Sequence, residues 1–374
     1  MMRVLASALL LAACSGAIAD DVSPWPGTVD AASLAREEKN LWADAEAFDN
    51  ALARAGKVRN DPPLNAYLQR IMDTLYPEFK GRLRVRALDA PHLNAFALPN
   101  GSVYINTGLL ARLQNEAQLA TVLAHEGVHF VHRHSFQQSE RVKNAATFAL
   151  VVGMLGVPLV GDIFAISSMT GFSQAHETEA DNIGYQRLVA AGYSAKEAPK
   201  TFEHLIAEIK ALDIKEPFFF ASHPKLRDRV DNFSEFSKNT HNGKVGLEEF
   251  LQHIRPVRLF TLQEDLAAYR YKQLILVLGD PERRREYPPE AAYFLGEAYL
   301  LRGNEGDLAL AEREYTLALE LAPSFAPSYR ALGLLLYKRG EKPRSAPLFR
   351  RYLELAPDAP DRAYVEHYLK ESAS

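Results

Sequence analysis

His125-Glu-Gly-Val-His129 puts two imidazoles four residues apart with a carboxylate beside the first. On a helix that spacing is one turn, so His125 and His129 project from the same face and can share a metal ion. Glu126 is offset around the helix from that pair, where it can hold and deprotonate a water instead of ligating. The arrangement needs a helix, and the flank supplies one. Asn115-Glu-Ala-Gln-Leu-Ala-Thr-Val-Leu-Ala124 carries apolar residues at helical spacing, and no Gly or Pro interrupts before Gly127. By themselves the five letters also fit a solvated or core helix.

A catalytic zinc site takes three protein ligands and leaves a fourth position for water. The missing ligand is expected from Glu177-Thr-Glu-Ala-Asp181, which opens a second helical stretch running through Ile183 to Ala190. Glu177 is the candidate. Asp181, one turn further along the same face, can accept the free ring N–H of a ligand histidine and fix its tautomer. The competing reading makes Glu177, Glu179 and Asp181 the acidic first turn of a surface helix, favoured there by the helix dipole.

Five blocks in one order carry a family resemblance: Asn94-Ala-Phe-Ala-Leu-Pro-Asn-Gly-Ser-Val-Tyr-Ile-Asn-Thr-Gly-Leu-Leu110; Asn115-Glu116; Leu123-Ala-His-Glu-Gly-Val-His-Phe-Val-His-Arg-His134; Glu177-Thr-Glu-Ala-Asp181; and Ser222-His-Pro224 with Arg229. Over about residues 60 to 235 the chain resembles the zinc metallopeptidase family that includes the CAAX prenyl proteases and the heat-shock peptidase HtpX. An export signal in front and helical repeats behind make it most similar to the soluble periplasmic branch. The resemblance implies one zinc ion per chain, held by His125, His129 and Glu177, with Glu126 as the base. It implies an α+β zincin-like domain, mostly helical with a small sheet. It also implies unfolded or misassembled envelope and outer-membrane proteins as substrates. One departure stands out: where the family commonly has Ser-Arg before the ligand Glu, this chain reads Phe172-Ser-Gln-Ala-His176, and Gln174 cannot supply the cation.

Composition fits an ordinary folded protein, with 47% hydrophobic residues, 24% charged residues and a net charge of −4. Its 374 residues are enough for two domains. Nucleic acid is not an expected partner, because the sequence advertises no basic face. Met-Met-Arg followed by an apolar run from Val4 to Ala13 reads as an export signal, which places the mature chain in the periplasm. Leu11-Ala-Ala-Cys14 fits lipoprotein processing, leaving residues 1–13 as the signal and a lipid on Cys14 as a membrane anchor. Ala17-Ile-Ala19 fits ordinary cleavage, leaving 1–19. Cys14 is the single cysteine, which suits an oxidising compartment.

Asn60-Asp-Pro-Pro63 reads as a turn leading into a helix. Leu83-Arg-Val-Arg-Ala-Leu88 and Ser102-Val-Tyr-Ile-Asn106 read as strands, the latter after the Pro99-Asn-Gly101 turn. The stretch Ser102, Val103, Tyr104, Ile105, Asn106 precedes the motif helix and is expected to be an edge strand that holds substrate backbone by strand addition; the alternative is a covered core strand. Ala145 to Gly161 is nearly uncharged, at the lower length limit for spanning a bilayer and broken by Pro158 and glycines; a buried or cleft-covering helical pair is preferred.

In Ser222-His-Pro224, His223 can place a further nitrogen on the metal and hold the enzyme idle, or steady the reaction intermediate. Arg229 can stabilise developing oxyanion charge or pin that loop through a carboxylate. A His-Pro turn and a helix-capping arginine are the bland alternatives. His132 and His134 follow the metal helix at a spacing that points them elsewhere, as surface or supporting residues.

From Tyr293 onward the chain repeats. Pro323 and Pro357 lie 34 residues apart, Tyr315 aligns with Phe349 and Leu319 with Leu353. That is the tetratricopeptide period, built of helix pairs stacked into a solenoid. Leu259 to Leu278 is expected as a degenerate extra unit and Arg362 to Lys370 as a capping helix. The expected organisation is a metallopeptidase domain over 28–255 and an all-α tetratricopeptide domain over 259–374 that binds clients or the outer-membrane assembly machinery. The competing functional reading is a chaperone or assembly factor with a gated or dormant protease site.

Overall fold

Asp61 opens the first well-anchored helix of the core: its carboxylate accepts the Leu64 N–H at 3.1 Å, and Pro62 and Pro63 occupy positions where no helical donor is needed. The computed structural model describes residues 22–27, 29, 34–141, 172–213, 226–238 and 242–373. The expected export segment with Cys14, the apolar stretch Ala145–Gly161 and the Ser222–Pro224 loop with His223 lie outside the described residues.

Helices α1 (Arg36–Arg54) and α2 (Pro62–Leu75) precede strands β1 (Arg84–Leu88), β2 (Ala95–Ala97) and β3 (Ser102–Asn106). Then come α3 (Thr107–Arg112), α4 (Glu116–Val131), α5 (His134–Arg141), α6 (Gln174–Ala190), α7 (Glu197–Leu212) and α8 (Leu226–Ser237). The expected mostly helical domain with a small sheet is what these residues build.

The sheet corrects one expectation. Its order is β1-β3-β2, with β1 parallel and β2 antiparallel to β3. Ser102–Asn106 is therefore the middle strand, paired on both sides, and cannot accept an added strand. Ala95-Phe-Ala97 is too short and too apolar to show period-two alternation, so the sequence pattern does not reveal the β2 that covers this side of β3. All of its residues are buried.

Helix α4 is the spine of the core. Asn115 caps it by accepting the Gln118 N–H at 3.0 Å, and every residue from Glu116 to Val131 is buried. Two glycines set the approach of its neighbours. A Cβ on Gly127 would stand 2.2 Å from the Tyr76 ring, whose hydroxyl donates to the Ala124 carbonyl on the same helix. A Cβ on Gly184 of α6 would stand 3.1 Å from the His125 backbone nitrogen, so α6 crosses α4 at close range just where the motif begins.

Beyond residue 246 the chain is helical: α9 (Leu247–Ala267), α10 (Tyr271–Leu278), α11 (Pro281–Arg284), α12 (Ala291–Arg302), α13 (Asp307–Leu321), α14 (Ala326–Lys338), α15 (Lys342–Leu355) and α16 (Arg362–Ala373). The expected boundary between 255 and 259 falls inside α9. The first half of that helix packs Phe250, Ile254 and Val257 into the same core as α4, while Leu262 enters the next core with Leu274, Phe294 and Leu295. The later helices pack in sequence, α12 on α13 and α14 on α15. Both pairs use one device, a glycine under an aromatic ring: a Cβ on Gly296 would stand 2.6 Å from Tyr315, and one on Gly333 would stand 2.7 Å from Phe349. No helix among the described residues is long and apolar enough to cross a membrane.

Candidate metal centre

His125 and His129 leave α4 from one face, and Glu177 meets them from the first turn of α6. Ser173 starts that helix by accepting the His176 N–H. The Nε2 atoms of His125 and His129 are 3.1 Å apart, and the Glu177 carboxylate oxygens lie 3.4 Å from the first and 3.5 Å from the second. Donors that share a tetrahedral ion at about 2.0–2.1 Å stand about 3.3–3.4 Å from one another, and these separations, with one Glu177 oxygen facing each histidine, are close to that. The chemistry agrees. Two ring nitrogens and a carboxylate converge on one point in a buried place, an arrangement that a cation stabilises. The residues present fit a metal ion.

Behind His125 the orientation is fixed. Its Nδ1 lies 2.9 Å from Asp181 Oδ1, and Arg229 holds that same carboxylate through Nε at 3.0 Å and Nη2 at 2.7 Å. With Asp181 accepting, the His125 proton sits on Nδ1 and Nε2 is left as the donor atom. Arg229 Nη2 is also 3.0 Å from that Nδ1, a contact between two donors that is electrostatic rather than a hydrogen bond. Burial opposes charge on Asp181, but Arg229 and His125 outweigh it and hold the carboxyl below the usual carboxylate range. Burial and the Arg229 charge likewise oppose a proton on His125. The Asp181 and Glu177 carboxylates outweigh both and hold the imidazole up at about 9, so a metal entering here must displace a proton.

Of the two roles anticipated for Arg229, the structure shows it bound to a carboxylate. It is buried and grips Asp181, so it acts on His125 through that residue and is a positioning residue. Glu126 is fully buried beside His125 on α4.

His134 is the residue the sequence reading undervalued. Its Nδ1 lies 2.9 Å from His129 Nδ1, so it does for His129 what Asp181 does for His125. Burial, with His176 and His132 nearby, pushes its imidazole down to about 3, leaving it neutral and able to accept the His129 N–H. Its Nε2 faces Glu179 Oε2 at 3.3 Å. Helical spacing could not place it, because the chain turns at Arg133, whose φ of 57° is left-handed. Glu38 pins that arginine at 2.9 and 2.6 Å, and its guanidinium stacks on Trp25. Phe172 stacks on the His129 ring at 3.9 Å between centroids.

Comparison with known proteins covers the part of the chain that carries these residues. The model of peptidase family M48 matches residues 60–237. A provisionally named β-barrel assembly-enhancing protease of Vibrio cholerae is 29% identical over 253 residues, covering 62% of this chain and 51% of that protein. The β-barrel assembly-enhancing protease of Escherichia coli is 25% identical over 248 residues, again 62% of this chain and 50% of the relative. The mitochondrial metalloendopeptidase OMA1 of Arabidopsis thaliana is 37% identical over 177 residues, 45% of this chain and 36% of the relative. The chain thus spans about half the length, or less, of these relatives. The matched stretch contains the converging donors and the residues that orient them, and residues 60–237 are a peptidase family M48 domain resembling that of the β-barrel assembly-enhancing proteases.

Proposed function

We propose that this chain is a zinc-dependent endopeptidase of the periplasm that hydrolyses peptide bonds in unfolded or misassembled envelope and outer-membrane proteins. The observation that carries the reading is the triangle of His125, His129 and Glu177 donors, backed by Asp181 and Arg229, on the motif helix of a peptidase family M48 domain. Two imidazoles and one carboxylate are the ligand set of hydrolytic zinc sites that keep a position for water. A zinc ion held there supplies Lewis acidity, polarising a carbonyl and lowering the pKa of water.

The chain's own groups do the rest. Glu126 takes the proton of the attacking water and returns it to the departing amine. Asp181 and His134 keep the two imidazoles in the tautomer that presents Nε2. Strand β2, the outer partner of β3, is the candidate substrate edge in place of β3, although its residues are buried in this structure. The bonds from Leu98 N to Ser102 O and from Asn106 N to Asn94 O leave Ala95 and Ala97 with their backbone N–H and C=O turned away from β3. Substrate backbone paired there would be held extended with little side-chain selectivity, which suits unfolded clients. The helix pairs α12–α13 and α14–α15 are read as tetratricopeptide units, supported by the 34-residue spacing of Tyr315 and Phe349 and their matching glycines, and serve to bind clients or assembly partners. The export segment, with or without a lipid on Cys14, supports the periplasmic placement.

Zinc content and cleavage of unfolded casein, measured on the native chain and on Glu126→Gln, test the assignment. The variant keeps its zinc and loses cleavage by about 10²–10⁴-fold. Undiminished cleavage by a zinc-loaded Glu126→Gln would overturn the mechanism. Zinc binding with no cleavage by the native chain would favour the assembly-factor reading.

A further inference from the structure

On the side of His134 away from the metal centre, a second set of donors converges. His132 Nδ1 lies 2.7 Å from Glu179 Oε1, His134 Nε2 lies 3.3 Å from Glu179 Oε2, and one ligand atom from each residue falls within 4.8 Å of the others. We propose that His132, His134 and Glu179 form a second, weaker site for a divalent transition metal, and that filling it weakens the first.

The fold builds the site from the same two helices. His132 ends α4, His134 begins α5 after the left-handed Arg133, and Glu179 lies on α6 two residues beyond Glu177, so the two glutamates leave the helix in different directions. The His134 side chain is buried, whereas those of His132 and Glu179 are 15% and 43% exposed, which gives an ion a route from solvent. Two imidazoles and one carboxylate suit zinc, cobalt, nickel or copper and not magnesium or calcium. The separation of His134 from Glu179 already matches a shared ion; that of His132 from Glu179 must open by about half an ångström. This adjustment, and the exposed carboxylate, make the site the weaker of the two.

The coupling rests on the reading that His129 ligates through Nε2. Its N–H is then on Nδ1 and points at His134 Nδ1, 2.9 Å away. His134 must therefore carry its own proton on Nε2, toward Glu179. An ion bound at that Nε2 would move the proton to Nδ1, where it meets the His129 N–H head on. One proton fits between the facing nitrogens, so the two rings cannot both ligate outward as neutral imidazoles.

The test is calorimetric titration of the demetallated full chain with zinc, repeated with cobalt and followed by visible absorption. The native chain should show a tight phase and a weaker one. His132→Asn and Glu179→Ala should each weaken the second phase at least tenfold, and His132→Asn should leave the tight phase in place. His125→Ala should abolish the tight phase and tighten the weaker one, because the competing proton is released. The two variants probe opposite partners of the site, and a circular dichroism melt confirms that each is folded. A single uptake event in the native chain, or a second event untouched in both variants, would show that the cluster is only hydrogen-bonded and overturn the site. A weaker phase of equal affinity in the native chain and His125→Ala would overturn the coupling. Survival of the tight phase in His125→Ala would instead overturn the assignment of the first site, and leaves the second to be judged by its own variants.

Discussion

The metal centre and the joint between the peptidase domain and the helix pairs both bury arginines and carboxylates, and they dispose them differently. At the joint, the buried Arg112 on α3 meets Glu208 of α7 at 3.1 Å and Asp265 of α9 at 3.3 Å. Arg283 adds to Glu208 at 3.3 Å and Arg270 to Asp265 at 2.8 Å. Arg258 donates to the carbonyls of Ala111, Leu113 and Glu286. Donors face acceptors throughout, and the cluster needs nothing from outside. At the metal centre only the rear is arranged this way, where Arg229 grips Asp181. In front, the Nε2 atoms of His125 and His129 and the Glu177 carboxylate converge on one point, where a proton on His125 stands in the place an ion would take. A closed cluster fixes the geometry of helices, whereas one whose ligand atoms converge on an exchangeable proton is completed by an ion.

The largest effect expected from that difference is on stability at the joint. Arg112→Met leaves Glu208 and Asp265 buried with weakened compensation, and should cost about 3–5 kcal/mol of folding free energy in urea denaturation of the full chain. Zinc affinity in the folded variant should be unchanged, because no metal donor touches Arg112. A fall in zinc affinity in step with stability would mean that the two clusters form one network.

How far each cluster could be read from sequence follows the same division. The donors of the metal centre were legible because the chemistry demands particular residue types at helical spacing: His125, Glu126 and His129 on one turn, Glu177 and Asp181 on another. His134 was not, since its position depends on a left-handed residue held by Glu38 and Trp25, contacts that lie far apart in the chain. The reason for Gly127 inside the motif was equally hidden, because Tyr76 arrives from the end of another helix. The joint was illegible altogether. Arg112, Glu208 and Asp265 sit on three helices with no shared spacing, and as isolated charges they read as solvated. The boundary expected near 255 fell inside α9 because that helix is shared by two cores, and a pattern of apolar residues does not reveal which core each one enters.

The next effect, smaller in energy, belongs to the rear of the metal centre. Asp181→Asn should lower zinc affinity about 10–100-fold in competition with a chelator, since the amide can offer its NH₂ to His125 Nδ1 and leave the wrong tautomer at Nε2. The variant also deprives Arg229 of a charged partner, so its melting point falls; the discriminating readout is therefore affinity measured in the folded chain. Native affinity in folded Asp181→Asn would mean that ring orientation is set by packing, as at the joint, and not by this hydrogen bond.

The smallest effect, taken per pH unit, is the dependence of each cluster on pH. His125 is held at about 9 in the metal-free chain, so zinc binding between pH 6 and 8 should release about one proton, visible as a buffer-dependent heat, and affinity should fall about tenfold for each unit of acidification. The metal-free fold responds with the opposite sign. A raised histidine stabilises it fully below its unfolded value of about 6.5, and that contribution is lost as pH rises through about 9. Glu208 behaves differently again. Burial opposes its charge, but Arg112 and Arg283 hold its carboxyl below the usual range, so its contribution is complete above about 4.3 and is lost only as pH falls through the lower folded value. From pH 8 to 6 the joint should therefore be indifferent while the metal centre weakens. An affinity that stays flat across that interval would mean that His125 is already neutral before metal arrives, and that the centre is compensated from within, as the joint is.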